Sequence, residues 1–241
     1  MPSEHATAPS PTQAQKQPQK QAQKCAQLAI FIGGIRPLPL SGRPTGIYKS
    51  PLTAPVLLGT EGFAGDQQAD RRVHGGPEKA VHLYPARHYA KLAARFPDAA
   101  TALVPGSLGE NLSTADLDEH DVRIGDIWQL GEALLQVCQA RSPCWKIDER
   151  FGVDGMAQFI EEKHLTGWYW RVLQSGQVGP SDVLTLHTPA LQAPSLHAAL
   201  VLWQQHRPPL EAFAALAETP GIATRWQEKI RQRLHYLRKL T

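Results

Sequence analysis

The chain has 241 residues, 42% of them hydrophobic, which is enough for one large domain with a small appendage. A formal net charge of only +3 argues against a general nucleic-acid binder, and three irregularly spaced cysteines argue against a disulfide framework. No segment approaches the roughly 20 consecutive apolar residues of a membrane helix. We therefore expect a cytoplasmic protein that uses no membrane and no nucleic acid.

The first 26 residues are rich in Gln, Pro, Ala and Lys. Residues 1–23 contain no apolar run of the kind found in a signal peptide. Such a segment buries too little apolar surface to offset the entropy of ordering. We expect residues 1–26 to form a disordered tail.

Short apolar runs separated by Gly, Pro, Asp or Asn dominate residues 27–190 and predict a mainly β domain, either a barrel or a sandwich. The predicted strands are residues 28–35, 56–58, 80–84, 126–130, 133–138, 168–173 and 183–187. Peripheral helices are predicted at 85–96 and 156–164. Regular alternation of strands and helices is missing, which argues against a doubly wound parallel sheet.

Residues 191–241 differ from the rest of the chain, because three helical segments follow one another there, at 195–206, 210–217 and 222–240. In the third segment, apolar residues recur every three or four positions and define one face. Basic residues occupy the rest of this segment. They favour a solvated face, with docking of an acidic partner as the alternative.

A tetrapeptide from Arg141 to Cys144 follows the strand that contains Cys138. Pro143 restricts the backbone just before the thiol, and Arg141 brings positive charge that favours the thiolate, the form that attacks or binds metal. The alternative is a buried structural cysteine beside a turn. Cys138 itself, inside the strand, is expected to be an inert core residue.

Two glycine-bearing turns lie at residues 61–66 and 70–76. Glycine lets the backbone approach a ligand and point N–H groups at an anion. Arg71, Arg72, His74 and Lys79 add positive charge to this region. The alternative is a pair of ordinary turns with solvated charges.

Further along the chain, Gly109 precedes Glu110 and Asn111, which favours either a side chain aimed into a cavity or a turn held by its own hydrogen bonds. Gly125 and Asp126 predict a simple turn. The ten histidines and three cysteines show no zinc-type spacing, and neither a phosphate-binding Walker loop nor a nicotinamide fingerprint occurs.

Six segments, taken in their order along the chain, resemble the MOSC family. The family is named for its likeness to the C-terminal domain of molybdenum-cofactor sulfurase. The resemblance covers residues 46–187, and the three C-terminal helices resemble the extension of the YiiM-like branch. Each motif is weak alone, but six in order are specific. The matching segments are residues 61–67, 73–77 together with 80–84, 108–112, 124–126, 141–144 and 167–169.

The resemblance implies a mostly β, barrel-like fold that holds a molybdopterin-type molybdenum cofactor, with Cys144 as the ligand to the metal. It implies reduction of N-hydroxylated compounds, such as the purine 6-hydroxylaminopurine, with electrons from a separate reductase, expected to be a flavoprotein. Pyridoxal phosphate binding is a further association of the family. The oligomeric state, monomer or homodimer, stays open.

For the cofactor, the resemblance and the charges together predict a set of binding residues. His74 is the expected proton donor, while Asp66 either contacts the cofactor or orients a basic residue. The remaining predicted cofactor-binding residues are Arg72, Gly75, Gly76, Lys79, Asn111, Arg141 and Ser142.

Two other functions remain open on the sequence. Cys144 could instead hold a persulfide and deliver sulfur to cofactor or metal–sulfur cluster assembly. Alternatively, the chain could be a non-catalytic module that binds or escorts the cofactor, because no iron–sulfur cysteine set or flavin motif is present to carry electrons.

Overall fold

The computed structural model describes residues 24–239. Nine of its strands form one sheet in the order β1-β14-β10-β11-β12-β8-β9-β2-β5, in which only β8 and β9 pair in parallel. These strands are β1 (Cys25–Ala26), β2 (Ala29–Ile32), β5 (Ser50–Pro51), β8 (Val81–Pro85), β9 (Leu112–Thr114), β10 (Ile127–Leu130), β11 (Ala133–Ala140), β12 (Trp168–Gln174) and β14 (Leu184–Thr188).

Two smaller sheets complete the β structure. One pairs β13 with β6 and β6 with β7, and the other pairs β3 with β4. Their strands are β3 (Arg36–Pro37), β4 (Pro44–Thr45), β6 (Val56–Gly59), β7 (Gly62–Phe63) and β13 (Gly176–Val178).

Seven α-helices surround the sheets in the described part of the chain. Short 3-10 helices span Pro77–Lys79 and Pro97–Ala102. The α-helices are α1 (Arg71–His74), α2 (Arg87–Arg95), α3 (Lys146–Phe151), α4 (Met156–Glu162), α5 (Leu196–Gln204), α6 (Leu210–Ala217) and α7 (Thr224–Arg238). Between residues 24 and 239, no helix combines the length and apolar character that crossing a bilayer requires.

The sheet-dominated core, the peripheral helices and the three C-terminal helices are confirmed, but the barrel is not closed. Within residues 24–239 the large sheet keeps two edges, at β1 and β5. The predicted strand 28–35 ends at Ile32 because the chain approaches another backbone there. A Cβ on Gly33 would lie 2.1 Å from the Tyr48 carbonyl oxygen, so only glycine fits without a shift.

One hydrophobic cluster runs from the sheet into the C-terminal helices and includes Trp128, Trp170, Phe213 and Ile230. The predicted division into residues 27–190 and 191–241 stays a prediction, and the two parts share this cluster. The predicted tail extends one strand too far, because β1 pairs with β14. Its first 23 residues lie outside the described residues.

The start of α7 is capped from a distant part of the chain. Its N-cap, Ala223, has no side chain that can accept a hydrogen bond. Instead, the Glu78 carboxylate accepts hydrogen bonds of 3.0 Å from the backbone N–H and the hydroxyl of Thr224. Glu78 also forms an ion pair with Arg171 of β12 at 2.6 Å. This anchor fixes α7 against the sheet, next to the 3-10 helix that carries Lys79.

Candidate functional site

The candidate site lies where β11 leaves the large sheet. The Arg141 N–H donates to the Gly167 carbonyl at 3.2 Å, which holds the departing chain against the start of β12. Cys144 follows in the loop before α3, and its carbonyl accepts from the Ile147 N–H at 3.0 Å. The thiol is therefore carried on a short loop that is fixed at both ends.

Half-buried Cys144 lies in a wall shared by two cavities. We call the first, of about 630 Å³, the sheet-side cavity, because Lys49, Asp66, His82 and Asn111 line it. The second, of about 1090 Å³, is the helix-side cavity, because residues of α5 and α7 line it. The shared wall consists of His74, Lys79, Arg141, Cys144 and Tyr169.

A buried ion pair forms part of the sheet-side cavity. Lys49 donates to both Asp66 carboxylate oxygens, at 2.5 and 2.7 Å, and the two side chains are only 4% and 1% exposed. Asp66 also accepts from the Gly33 N–H and from the Asn111 amide. Burial lowers the pKa of Lys49, and Asp66 partly offsets this effect. Asp66 thus holds a basic residue in place, one of its two predicted roles.

Both the oxygen and the amide nitrogen of the Asn111 side chain form hydrogen bonds with neighbouring residues. Its side-chain oxygen accepts from the His82 N–H at 3.2 Å, and its amide donates to Phe31 and to Asp66. Glu110, beside it, accepts from the Gly106 and Leu108 N–H groups. The segment therefore combines the two predicted alternatives, a side chain at a cavity and a turn held by its own hydrogen bonds. Asn111 therefore connects β8, β2 and Asp66 at the cavity wall.

Burial, followed by the charges of Arg141, Lys146 and Lys79, lowers the pKa of His74 to about 4. At neutral pH its imidazole is uncharged. The same cations would attract an anion to the cavity, and a bound anion would offset their effect on His74. The predicted proton-donor role of His74 therefore requires an anion nearby.

Lys79 stands between the two cavities. Its ammonium donates to the Val73 carbonyl and lies 5.7 Å from the centre of the Tyr169 ring. Burial lowers the pKa of Lys79, and Arg225 and Lys229 of α7 lower it further. Positive charge from the sheet and from α7 thus converges at this point.

Of the predicted site residues, Arg72, Gly75 and Gly76 do not line either cavity. The Arg72 side chain is 89% exposed and pairs at 3.0 Å with Asp70, which caps α1. The Arg72 guanidinium therefore pairs with Asp70 at the surface. Ser142 lines only the helix-side cavity.

Cys138 behaves as predicted for a core residue. It is completely buried, and its thiol contacts the carbonyls of Glu78 and Tyr169 at 3.1 and 3.4 Å. Burial raises the pKa of Cys138 to about 12, so this thiol stays protonated and unreactive at neutral pH.

Lys49, His82 and Tyr169 line the site but were not predicted as site residues. His82 was assigned to a strand, which is confirmed, and an inward-facing strand residue looks the same in sequence whether it faces core or cavity. Lys49 lies in an irregular segment with no motif. Only its distant partner Asp66, in a glycine-bearing turn, hinted at a basic neighbour.

A MOSC domain model matches residues 70–185 of the chain. Protein YiiM of Escherichia coli is 35% identical over 205 residues, which cover 85% of this chain and 90% of that protein. In superposition with the crystal structure of E. coli YiiM, the TM-score is 0.74 at 27% identity, over 88% and 94% of the two chains. A Gibberella moniliformis protein named "Reductase" is 35% identical over 161 residues, 66% of this chain but 28% of that protein. The chain therefore belongs to the MOSC-domain family, in its YiiM-like branch.

Proposed function

We propose that the chain is a molybdenum-cofactor-dependent reductase of N-hydroxylated compounds, in which Cys144 is the protein ligand to the metal. The observation that carries the proposal is the position of this thiol, half-buried in the wall between two cavities and beside Arg141. The similarity to a protein named as a reductase supports a redox reaction.

The residues around the sheet-side cavity suit such a cofactor. Its phosphate is a dianion that needs cationic donors, and Lys49, Lys79, Arg141 and Lys146 line this cavity. His82, which is buried, lines the same cavity. Cys144 supplies the soft sulfur ligand that a thiophilic metal prefers.

When bound, the cofactor would supply two-electron redox chemistry. Reduction of an N-hydroxyl group takes two electrons and two protons, breaks the N–O bond, and yields an amine and water. The protein's part is to bind and orient the substrate beside Cys144 and to provide a proton. His74 provides that proton once the negative charge of bound ligands raises its pKa from about 4 toward its ordinary value.

Electron supply is part of the proposal. Two electrons per turnover would come from a separate reductase, expected to be a flavoprotein, and both proteins would work in the cytoplasm. A small N-hydroxylated base such as 6-hydroxylaminopurine is the proposed substrate.

The test compares Cys144→Ala with Cys25→Ala, made in a host that synthesises the cofactor. We expect unmodified protein and Cys25→Ala, which changes an exposed cysteine on β1, to contain molybdenum and pterin and to reduce 6-hydroxylaminopurine with a reduced dye. Cys144→Ala should lose both the metal and the activity. Full activity of Cys144→Ala would refute the proposal.

The same preparations separate the two alternative functions. A mass increase of one sulfur atom on Cys144, without metal, would support a sulfur carrier. Full cofactor occupancy without turnover, whatever the electron donor, would support a binding or escort module.

A further inference from the structure

The proposed function assigns the cofactor to the sheet-side cavity and leaves the role of the helix-side cavity open. It opens on the same Cys144 wall, but its far side comes from the C-terminal helices, with Leu200 and Trp203 of α5 and Trp226 of α7. At about 1090 Å³ it is the larger of the two.

Positive charge in this cavity has little acidic counterpart. Four cationic side chains line it, those of Lys79, Arg141, Arg225 and Lys229, against one carboxylate, Glu161, among its described lining residues. The two α7 residues have no ion-pair partner within residues 24–239, and Arg225 donates only to the Arg72 carbonyl at 2.9 Å. Lys79, Arg225 and Lys229 all line this one cavity.

Three aromatic side chains also line this cavity, those of Tyr169, Trp203 and Trp226. Trp226 is 8% exposed, and the half-buried Trp203 is fixed from behind by Phe213, whose ring stacks on it at 6.1 Å, and by Arg233. Together with Tyr169 they give an aromatic wall next to a cationic one. Aromatic surface favours a planar ring, and clustered cations favour a phosphate.

We propose that the helix-side cavity binds the substrate as a phosphorylated nucleoside, with the base near Cys144 and the phosphate on Arg225 and Lys229. That the base carries an N-hydroxyl group rests on the proposed function. The phosphate site itself rests on the cationic side chains that line the cavity. The cations of α7 thereby make a nucleotide bind more tightly than the free base, which the site also accepts.

The test measures binding of two redox-inert probes, adenosine 5′-monophosphate and adenosine, to the purified protein by calorimetry. We expect the monophosphate to bind at least about tenfold more tightly than adenosine, because charge-assisted hydrogen bonds form only with the phosphate. In Arg225→Gln/Lys229→Gln the monophosphate should lose this advantage while adenosine binds as before. Arg231→Gln is the matched control on α7, because Arg231 pairs with Glu218 on the surface.

Equal affinity for the two probes, or an unchanged preference in the double variant, would overturn the inference. Loss of molybdenum from the double variant with unchanged monophosphate binding would also overturn it, because the cations would then hold the cofactor. The inference would also be overturned if the double variant lost only electron transfer from a partner reductase and kept its preference for the monophosphate. If molybdenum-loaded protein reduces neither 6-hydroxylaminopurine nor its ribonucleotide, the proposed function fails, and the probe preference still decides on the phosphate site.

Discussion

The two cavities beside Cys144 are both lined by cations, but the cations are held in different ways. In the sheet-side wall, Lys49 is 4% exposed and bonded to a carboxylate that two further groups also use. In the helix-side wall, Arg225 and Lys229 project from the exposed surface of α7. Buried charge of the first kind is part of the fold, whereas exposed charge of the second kind can change without unfolding the protein.

The largest effect on stability is expected for Asp66→Asn. The amide cannot neutralise buried Lys49, and its NH2 group would face other donors, so the free energy of unfolding should fall by about 3–5 kcal/mol. Urea unfolding measures the change, with Glu228→Gln on exposed α7 as a control that should keep its midpoint. A loss below about 1 kcal/mol would show that this pair is not structural.

An intermediate effect is expected on anion binding through His74, which touches both cavities. Its folded pKa is about 4, below the unfolded value of 6.5, and a bound dianion should raise it. Proton uptake is then linked to binding, so affinity for sulfate should increase as the pH falls from 7 toward 4. Each unit by which sulfate raises this pKa gives about a tenfold gain at a pH below both values.

Sulfate suits this measurement because its charge stays constant between pH 4 and pH 7, so the protein alone titrates. The affinity is measured by calorimetry, and the His74 ring is followed by NMR with and without sulfate. His74→Gln should remove the part of the pH dependence that His74 causes. An identical pH profile in wild type and variant would contradict the linkage.

The smallest effect is expected for Arg225→Gln and Lys229→Gln as single variants. Because both side chains are exposed and lack ion-pair partners in the described part of the chain, each should change the free energy of unfolding by less than about 0.5 kcal/mol. Thermal unfolding checks this. A loss above about 1 kcal/mol would mean that the helix-side cations also support the fold, and the contrast between the two walls would disappear.

Sequence patterns predicted the parts of the molecule that depend on local chemistry. The long β11 and the amphipathic α7 follow from periodic apolar residues, and Cys144 was recognised from its strand exit and its motif. Short strands such as β3 and β7 have only two residues and leave no periodicity to detect.

The rest of the site could not be predicted because it depends on distant contacts. Lys49 becomes part of the cavity through Asp66, and Lys229 and Lys79 line one cavity only because α7 packs beside the sheet. Arg72 was predicted to bind the cofactor but lines neither cavity, since a basic residue in a glycine-bearing turn looks the same in sequence whether or not a nearby carboxylate pairs with its side chain. Local sequence indicates which functional side chains are present, and tertiary packing determines which of them lie together.

The distant cap on α7 has a consequence for how such proteins can be recombined. Glu78 caps the first turn of α7 from the 3-10 helix Pro77–Lys79. The C-terminal extension and this 3-10 helix are therefore coupled structurally. A chimera that takes its C-terminal helices from another family member must also take that member's residue at position 78. Otherwise the grafted helix starts with open N–H groups, and the turn bearing Lys79 loses its anchor.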